Sequence, residues 1–155
     1  MQDHLIDFAD IRGYRQRVLG GMENLPPLII TVATTGAFFT KDDNPDIPLT
    51  PEEQAQQTSE AYQAGASMVH VHRRKASNTS VMSDDPDEYK EVNALIRAKC
   101  PDIIINNTAV GGRQRVGDKV SDLMLTSVFA DPEIASFDTS NFTARLPRRG
   151  QEPIE

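Results

Sequence analysis

The chain has three histidines, and two of them form the string His70-Val71-His72. Side chains alternate across a β-strand, so these two imidazoles would share one face, about 6.6 Å apart along it, with Val71 on the other. In that relation two neutral imidazoles can converge on one divalent ion, and zinc is the metal whose ligand preferences match them best. The spacing suits a surface or hydrogen-bonded histidine pair as well, and both readings stay open at this point. A catalytic zinc takes three protein ligands and keeps a position for water or substrate, and no third ligand stands near the pair. Asp84 and Asp85 are close in sequence, but they precede Pro86 and fit the cap of a helix better.

Three cations, Arg73-Arg74-Lys75, follow the pair directly. Arg74 is the candidate for holding a substrate carboxylate or phosphate, whereas Arg73 and Lys75 are expected on a solvated loop. Three further polar clusters close strand-like runs: Thr34-Thr35-Gly36, Asn106-Asn107-Thr108 with Gly111-Gly112 after it, and Ser136, Asp138 and Ser140. Asn106 and Thr108 fall on one face, and a glycine pair lets the backbone approach a ligand closely. Taken singly, each cluster fits an ordinary turn equally well; their shared position at strand ends is the informative feature. Cys100 lies before Pro101 at a helix end, and neither a Gly-x-Ser-x-Gly elbow nor a Cys/His pair points to nucleophilic catalysis.

The elements that must position these groups alternate from residue 28 onward between apolar runs and helix-like segments, the signature of a parallel α/β sheet. Leu28 to Ala33 is nearly continuous and β-branched, which predicts a strand covered on both faces. Thr50-Pro51-Glu52-Glu53 predicts a helix start with Thr50 as cap, Pro51 at the first position and Glu53 completing a capping box. Ala55, Thr58, Ala61 and Tyr62 supply its inner face, and Gly65 ends it. A second strand spans 67–72, a polar loop 73–84, and a helix with Tyr89, Val92, Leu95 and Ile96 on one face runs to Pro101. A third strand over 102–107, a helix around 120–129 and a fourth strand over 134–138 complete the pattern. Ahead of all this, Leu5, Phe8, Ile11 and Tyr14 at spacing three predict a short amphipathic helix stopped by Gly20-Gly21.

Four such units fit either an open doubly wound sheet or part of a (β/α)8 TIM barrel. No G-x-G-x-x-G follows the first strand, which removes the main support for dinucleotide binding, and polar groups at strand C-termini suit a barrel's active face. The 155 residues carry 16 Lys+Arg against 23 Asp+Glu, a formal net charge of −7, which argues against nucleic acid as the main partner. One cysteine permits no internal disulfide, no apolar run is long enough for a membrane span, and the charged first residues do not resemble a secretion signal, so a cytoplasmic setting is expected.

These motifs resemble the β-keto acid cleavage enzymes. The resemblance rests on Leu28-Ile29-Ile30-Thr31-Val32-Ala33, Thr35-Gly36-Ala37, Asn44-Pro45, Pro48-Leu49-Thr50-Pro51-Glu52-Glu53, Ala64-Gly65-Ala66, Val69-His70-Val71-His72-Arg73-Arg74, and Ile104-Ile105-Asn106 through Gly111-Gly112. It covers about residues 27–144 in order. It implies a zinc-dependent (β/α)8 barrel, of which this chain holds about the first four βα units, with an N-terminal extension over 1–26 and a polar tail over 145–155. It implies reaction of a β-keto acid with acetyl-CoA to give acetoacetate and a new acyl-CoA, in a homo-oligomer. On this analogy His70 and His72 bind zinc, Thr108 and Ser140 are the catalytic polar groups, and Thr35, Gly36, Arg74, Asn106, Gly111 and Gly112 contact substrate.

Three departures qualify the analogy. The family's third zinc ligand, a Glu, and its neighbouring Asp general base come from a late strand that is not in this chain, so an N-terminal portion of the enzyme is expected. Asn107-Thr108-Ala109-Val110-Gly111-Gly112 sets the hydroxyl residue farther from the glycine pair than the family does. Phe38 stands where the lysine-fermentation member carries a Glu, which implies a substrate without an amino group. Two other readings stand beside this one: a metal-dependent hydrolase barrel, which needs no CoA, and a non-catalytic half-barrel that pairs with another half.

Overall fold

A computed structural model describes residues 10–21, 27–109 and 126–136. The chain divides into two compact units, residues 1–30 and 31–155. In the first, α1 (Ile11–Leu19) is capped by Asp10, whose carboxylate accepts from the Gly13 N–H at 3.0 Å. The helix gives way at Gly20, and Gly21 takes φ +116°, as the glycine pair predicted. Leu5 and Phe8 lie outside the described residues.

The second unit is built on a parallel sheet of β1 (Thr31–Ala33), β2 (Met68–Val71), β5 (Ile104–Thr108) and β6 (Ile134–Ser136), in that spatial order. Space and chain order agree, with no reversal. Between β2 and β5 the chain forms an antiparallel hairpin of β3 (Arg74–Lys75) and β4 (Asn78–Met82), then α3 (Pro86–Lys99). α2 (Pro51–Gln63) connects β1 to β2.

Each helix has local reasons to start and stop. Thr50 accepts from the Glu53 N–H at 3.2 Å, while the Glu53 carboxylate accepts from the Thr50 N–H at 3.1 Å, so the expected capping box is formed. At the far end Gly65 takes φ +108°, the Ala66 N–H reaches the Ala61 carbonyl and the Gly65 N–H that of Tyr62, which satisfies the last carbonyls of α2. Asp85 caps α3 through the Asp87 N–H, with Pro86 in the first turn.

α2 and α3 cover the same face of the sheet. Ala55 of α2 and Val92 and Ile96 of α3 join Val69, Val71, Ile103, Ile105 and Cys100 in one buried cluster. The odd-numbered residues of β2 and β5 therefore point toward the helices. Cys100 is fully buried there, which suits a small apolar packing residue rather than a reactive thiol.

Several expectations need correction. The first strand is only Thr31–Ala33, and Leu28, Ile29 and Ile30 are exposed rather than covered on both faces. In this run only Thr31, Val32 and Ala33 find ladder partners among the described residues, on β2, so residues 28–30 are not held in the strand. The segment 73–84 is not a plain loop but contains the β3–β4 hairpin, turned at Ala76-Ser77. Residues 126–129, expected in a helix, belong to a turn that runs to 130, and 120–125 lie outside the described residues, as do 137 and 138 of the fourth strand. Among the described residues no helix is long and apolar enough to cross a membrane.

Candidate functional site

The face of the sheet turned away from α2 and α3 carries Met68 and His70 of β2 and Ile104, Asn106 and Thr108 of β5. The register aligns Ala33, His70, Asn106 and Ile134 in one row across the sheet, and pairs Thr108 with Ser136 two residues farther along. His72 follows the last residue of β2. The two imidazole rings lie with centroids 4.7 Å apart and planes at 78°, an edge-to-face contact. Both side chains are half-buried.

Burial, then the nearby His70 and Arg74, lowers the His72 pKa from its ordinary 6.5 to about 4. The ring is therefore neutral at pH 7, the form in which imidazole donates a lone pair to a metal. Its Nδ1 is buried without a hydrogen-bond partner. An orphaned buried acceptor costs free energy unless something outside the protein chain satisfies it. Two adjacent imidazoles, one of them neutral and with a buried unsatisfied nitrogen, fit the nitrogen donor set that zinc takes. The described residues hold no group of three or more His, Cys, Asp or Glu that could hold a metal ion.

The neighbouring positions differ in what their side chains do. Asn106 stands beside His70, its Nδ2 donating to Met68 Sδ at 3.9 Å while its Oδ1 is buried with no partner. Thr35 is buried and donates its hydroxyl to the Pro48 carbonyl at 2.9 Å. Gly36 takes φ +67°, a left-handed conformation that glycine adopts without strain. Thr108 is buried at the end of β5. Gly111, Gly112, Asp138 and Ser140 lie outside the described residues. Phe38 and Phe39 in the β1–α2 loop are both exposed.

The cationic run behaves differently from a solvated loop. Arg73 is 2% exposed; it donates to the Glu88 carbonyl at 3.2 Å, to the Arg74 carbonyl, and to Glu91 Oε2 at 3.3 Å. Its expected solvation is thus corrected: after β2 the chain folds straight into the hairpin, whose first strand buries Arg73 and Arg74 against α3 and the β1–α2 loop. Lys75 is only partly exposed and pairs with Asp84 at 2.6 Å, a contact that holds the Asp84 carboxyl below its usual range. Asp84 is thereby an ion-pair partner rather than a cap. Arg74 is fully buried and donates to the carbonyls of Gly36, Phe39 and Thr79.

One contributor escapes a reading of the sequence by residue type. Gln54 is buried on α2 and reaches the His72 carbonyl with its Nε2 at 3.4 Å, so it tethers the end of β2 from the helix side. A polar residue at a core position of α2, in series with Pro51, Ala55 and Thr58, is the signal that marks it.

The arrangement is that of a parallel α/β protein whose strand ends gather imidazole, amide and hydroxyl groups on the face its helices leave uncovered. This chain belongs to the β-keto acid cleavage enzyme family, whose model it matches over residues 27–152. It is 41% identical over 118 residues to the 3-keto-5-aminohexanoate cleavage enzyme of Fusobacterium nucleatum, covering 74% of this chain and 41% of that protein. It is 40% identical over 117 residues to the enzyme of the same name from Acetoanaerobium sticklandii, again 74% and 41%. Similarity to the 3-oxoadipate:acetyl-CoA acetyltransferase of Cupriavidus necator is 37% over 122 residues, 77% of this chain and 40% of that one. The chain thus spans about two fifths of the length of these curated relatives. Among solved structures, a ternary complex of ObcA with a C4-CoA adduct and oxalate aligns at a TM-score of 0.49 and 24% identity, over 60% of this chain and 23% of that one.

Proposed function

We propose that this chain supplies the N-terminal βα units of a zinc-dependent β-keto acid cleavage enzyme, which converts a β-keto acid and acetyl-CoA to acetoacetate and a new acyl-CoA. The observation that carries the reading is the His70/His72 pair with the orphaned, buried Nδ1 of His72. Names of relatives that include acetyl-CoA as a substrate support the co-substrate. A (β/α)8 barrel is supported by strands that follow chain order without reversal and by two helices on one face, since a doubly wound sheet is covered on both.

In this reading His70 and His72 hold the zinc, with a further ligand from outside the described residues. When bound, the metal acts as a Lewis acid toward the keto acid's oxygens and stabilises negative charge that develops there. The chain's own residues bind and orient. Asn106 presents an unsatisfied amide oxygen beside His70, able to accept from a substrate or from a water. The resemblance to the family assigns Thr108 and Ser140 as the catalytic hydroxyl groups and Thr35, Gly36, Gly111 and Gly112 as substrate contacts. Gln54 holds the His72 backbone, so the imidazole keeps its aim without an entropic search.

The test combines metal content with acetyl-CoA-dependent acetoacetate formation in the parent protein, in His70→Ala and in His72→Ala. Loss of a Lewis acid worth several kcal/mol corresponds to roughly a thousandfold fall in rate, together with loss of bound zinc. Full turnover by the chelated protein, or by both variants, would sink the reading.

A further inference from the structure

Arg74 lies two residues beyond His72 and is fully buried, yet among the described residues its guanidinium pairs with no carboxylate. Nε and one terminal nitrogen donate to the Gly36 carbonyl at 3.2 and 2.8 Å; that same terminal nitrogen donates to the Phe39 carbonyl at 3.0 Å, and the other to the Thr79 carbonyl at 3.3 Å. These acceptors belong to two segments 38 and 5 residues away in sequence. One is the β1–α2 loop, which carries Thr35, Gly36 and Phe38; the other is strand β4 of the hairpin. The left-handed φ of Gly36 lets its carbonyl receive two of the four bonds.

A buried cation with four of its five N–H groups spent on backbone carbonyls is poorly placed to take a substrate carboxylate in a two-pronged contact as well. It is well placed to fix loops. The planar fork of a guanidinium donates from three separate nitrogens and so reaches carbonyls on two segments in a fixed geometry, whereas a lysine ammonium offers its three donors from a single point. We infer that Arg74 is a positioning residue, a brace that ties the β1–α2 loop and the β3–β4 hairpin to the strand end carrying His70 and His72. The inference rests on the proposed function for its bearing on catalysis, but the brace itself is a statement about this chain.

Hydrogen–deuterium exchange separates the brace from a substrate contact. Peptides covering 34–43 and 76–83 are followed in the parent chain, in Arg74→Lys and in Arg74→Met, with α3 peptides as internal reference. Loss of the brace lowers the local opening free energy, so both windows are expected to exchange roughly tenfold faster or more in both variants while α3 is unchanged. If Arg74→Met exchanges throughout, it has unfolded and Arg74→Lys decides. Parent-like exchange in both windows of Arg74→Lys overturns the inference, and a raised KM for the β-keto acid in that same variant would mark Arg74 as a substrate contact instead. A parent protein that makes no acetoacetate but shows the exchange response would defeat the proposed function and leave the brace standing.

Discussion

Arg73 offers a sharp test of how this fold uses charge. Its guanidinium is buried and makes two bonds to backbone carbonyls, of Glu88 and of Arg74, and one to a carboxylate, that of Glu91, whose side chain is 54% exposed. If the carbonyl bonds carry the stabilisation, Arg73→Met keeps most of the packed stem but removes three hydrogen bonds. At about 0.5–1.5 kcal/mol each the loss is about 2–4 kcal/mol. Glu91→Ala removes only an ion pair whose acidic partner is in water, at a cost of about 0–1 kcal/mol. Equilibrium urea unfolding at pH 7 measures both through the midpoint at constant slope, and thermal unfolding gives a parallel shift of roughly 2–4 °C for each kcal/mol in a chain of this size. The double variant completes a cycle in which coupling should stay below about 1 kcal/mol. Glu91→Ala as damaging as Arg73→Met, or a coupling that accounts for most of the Arg73 effect, would refute this account and make the ion pair the principal interaction.

Two further outcomes follow from the same structure. Thr50→Ala removes the acceptor of the Glu53 N–H and half of the capping box, and should cost about 1 kcal/mol in urea unfolding, while Thr50→Ser stays near the parent; equal stability of all three proteins would mean the box is idle. Acid should destabilise the fold, because three carboxyls sit below their ordinary range when folded: Glu53 chiefly through Lys41, Asp84 chiefly through Lys75, and Glu88, where burial pushes upward but bonds from Ser83 and the Ala76 N–H and the charges of Arg73 and Lys75 outweigh it. A depressed folded pKa contributes stability that is fully present above the ordinary value, 4.5 for the two glutamates, and is lost as pH falls through the lower folded value. His72, neutral in the fold with its pKa lowered from 6.5 to about 4, adds a loss that begins as pH falls below its ordinary value. The urea midpoint should therefore decline from about pH 6.5 downward and further below about pH 4.5 as the carboxyls titrate, their part being modest because they are partly solvated, and a midpoint that is flat or rises between about pH 6.5 and 3 would contradict the assignment.

What could be read from the sequence was whatever depends on neighbours in the chain. Thr50, Pro51, Glu53, Gly65 and Asp85 act within four residues of themselves, and each does in the structure what its type and position predict. Strand alternation likewise set Val69 and Val71 against the helices and His70 on the other face. What escaped depends on partners far along the chain. Arg73 looks like a solvent-exposed cation and Arg74 like a substrate-binding one until their carbonyl acceptors are known, and Gly36, which accepts from Arg74, is 38 residues away. The β3–β4 hairpin has a two-residue first strand and turns at Ala76-Ser77, without Asn-Gly or Asp-Gly to announce it, although Thr79 and Val81 on β4 are β-branched.

The division of β2 and β5 into a helix-facing and an open row also bears on how such a protein can evolve. In these strands even-numbered positions hold His70 and Asn106, and odd-numbered positions hold Val69, Val71 and Ile105 of the core. Substitutions on the open row can change chemistry while leaving the packed layer intact. A single-residue insertion or deletion inside β2 would exchange the two rows, sending an imidazole into the hydrocarbon cluster and a valine to the reactive face. Length changes are therefore expected in the connecting loops rather than inside β2 or β5, whereas a side chain of the open row can be exchanged without unpacking the core.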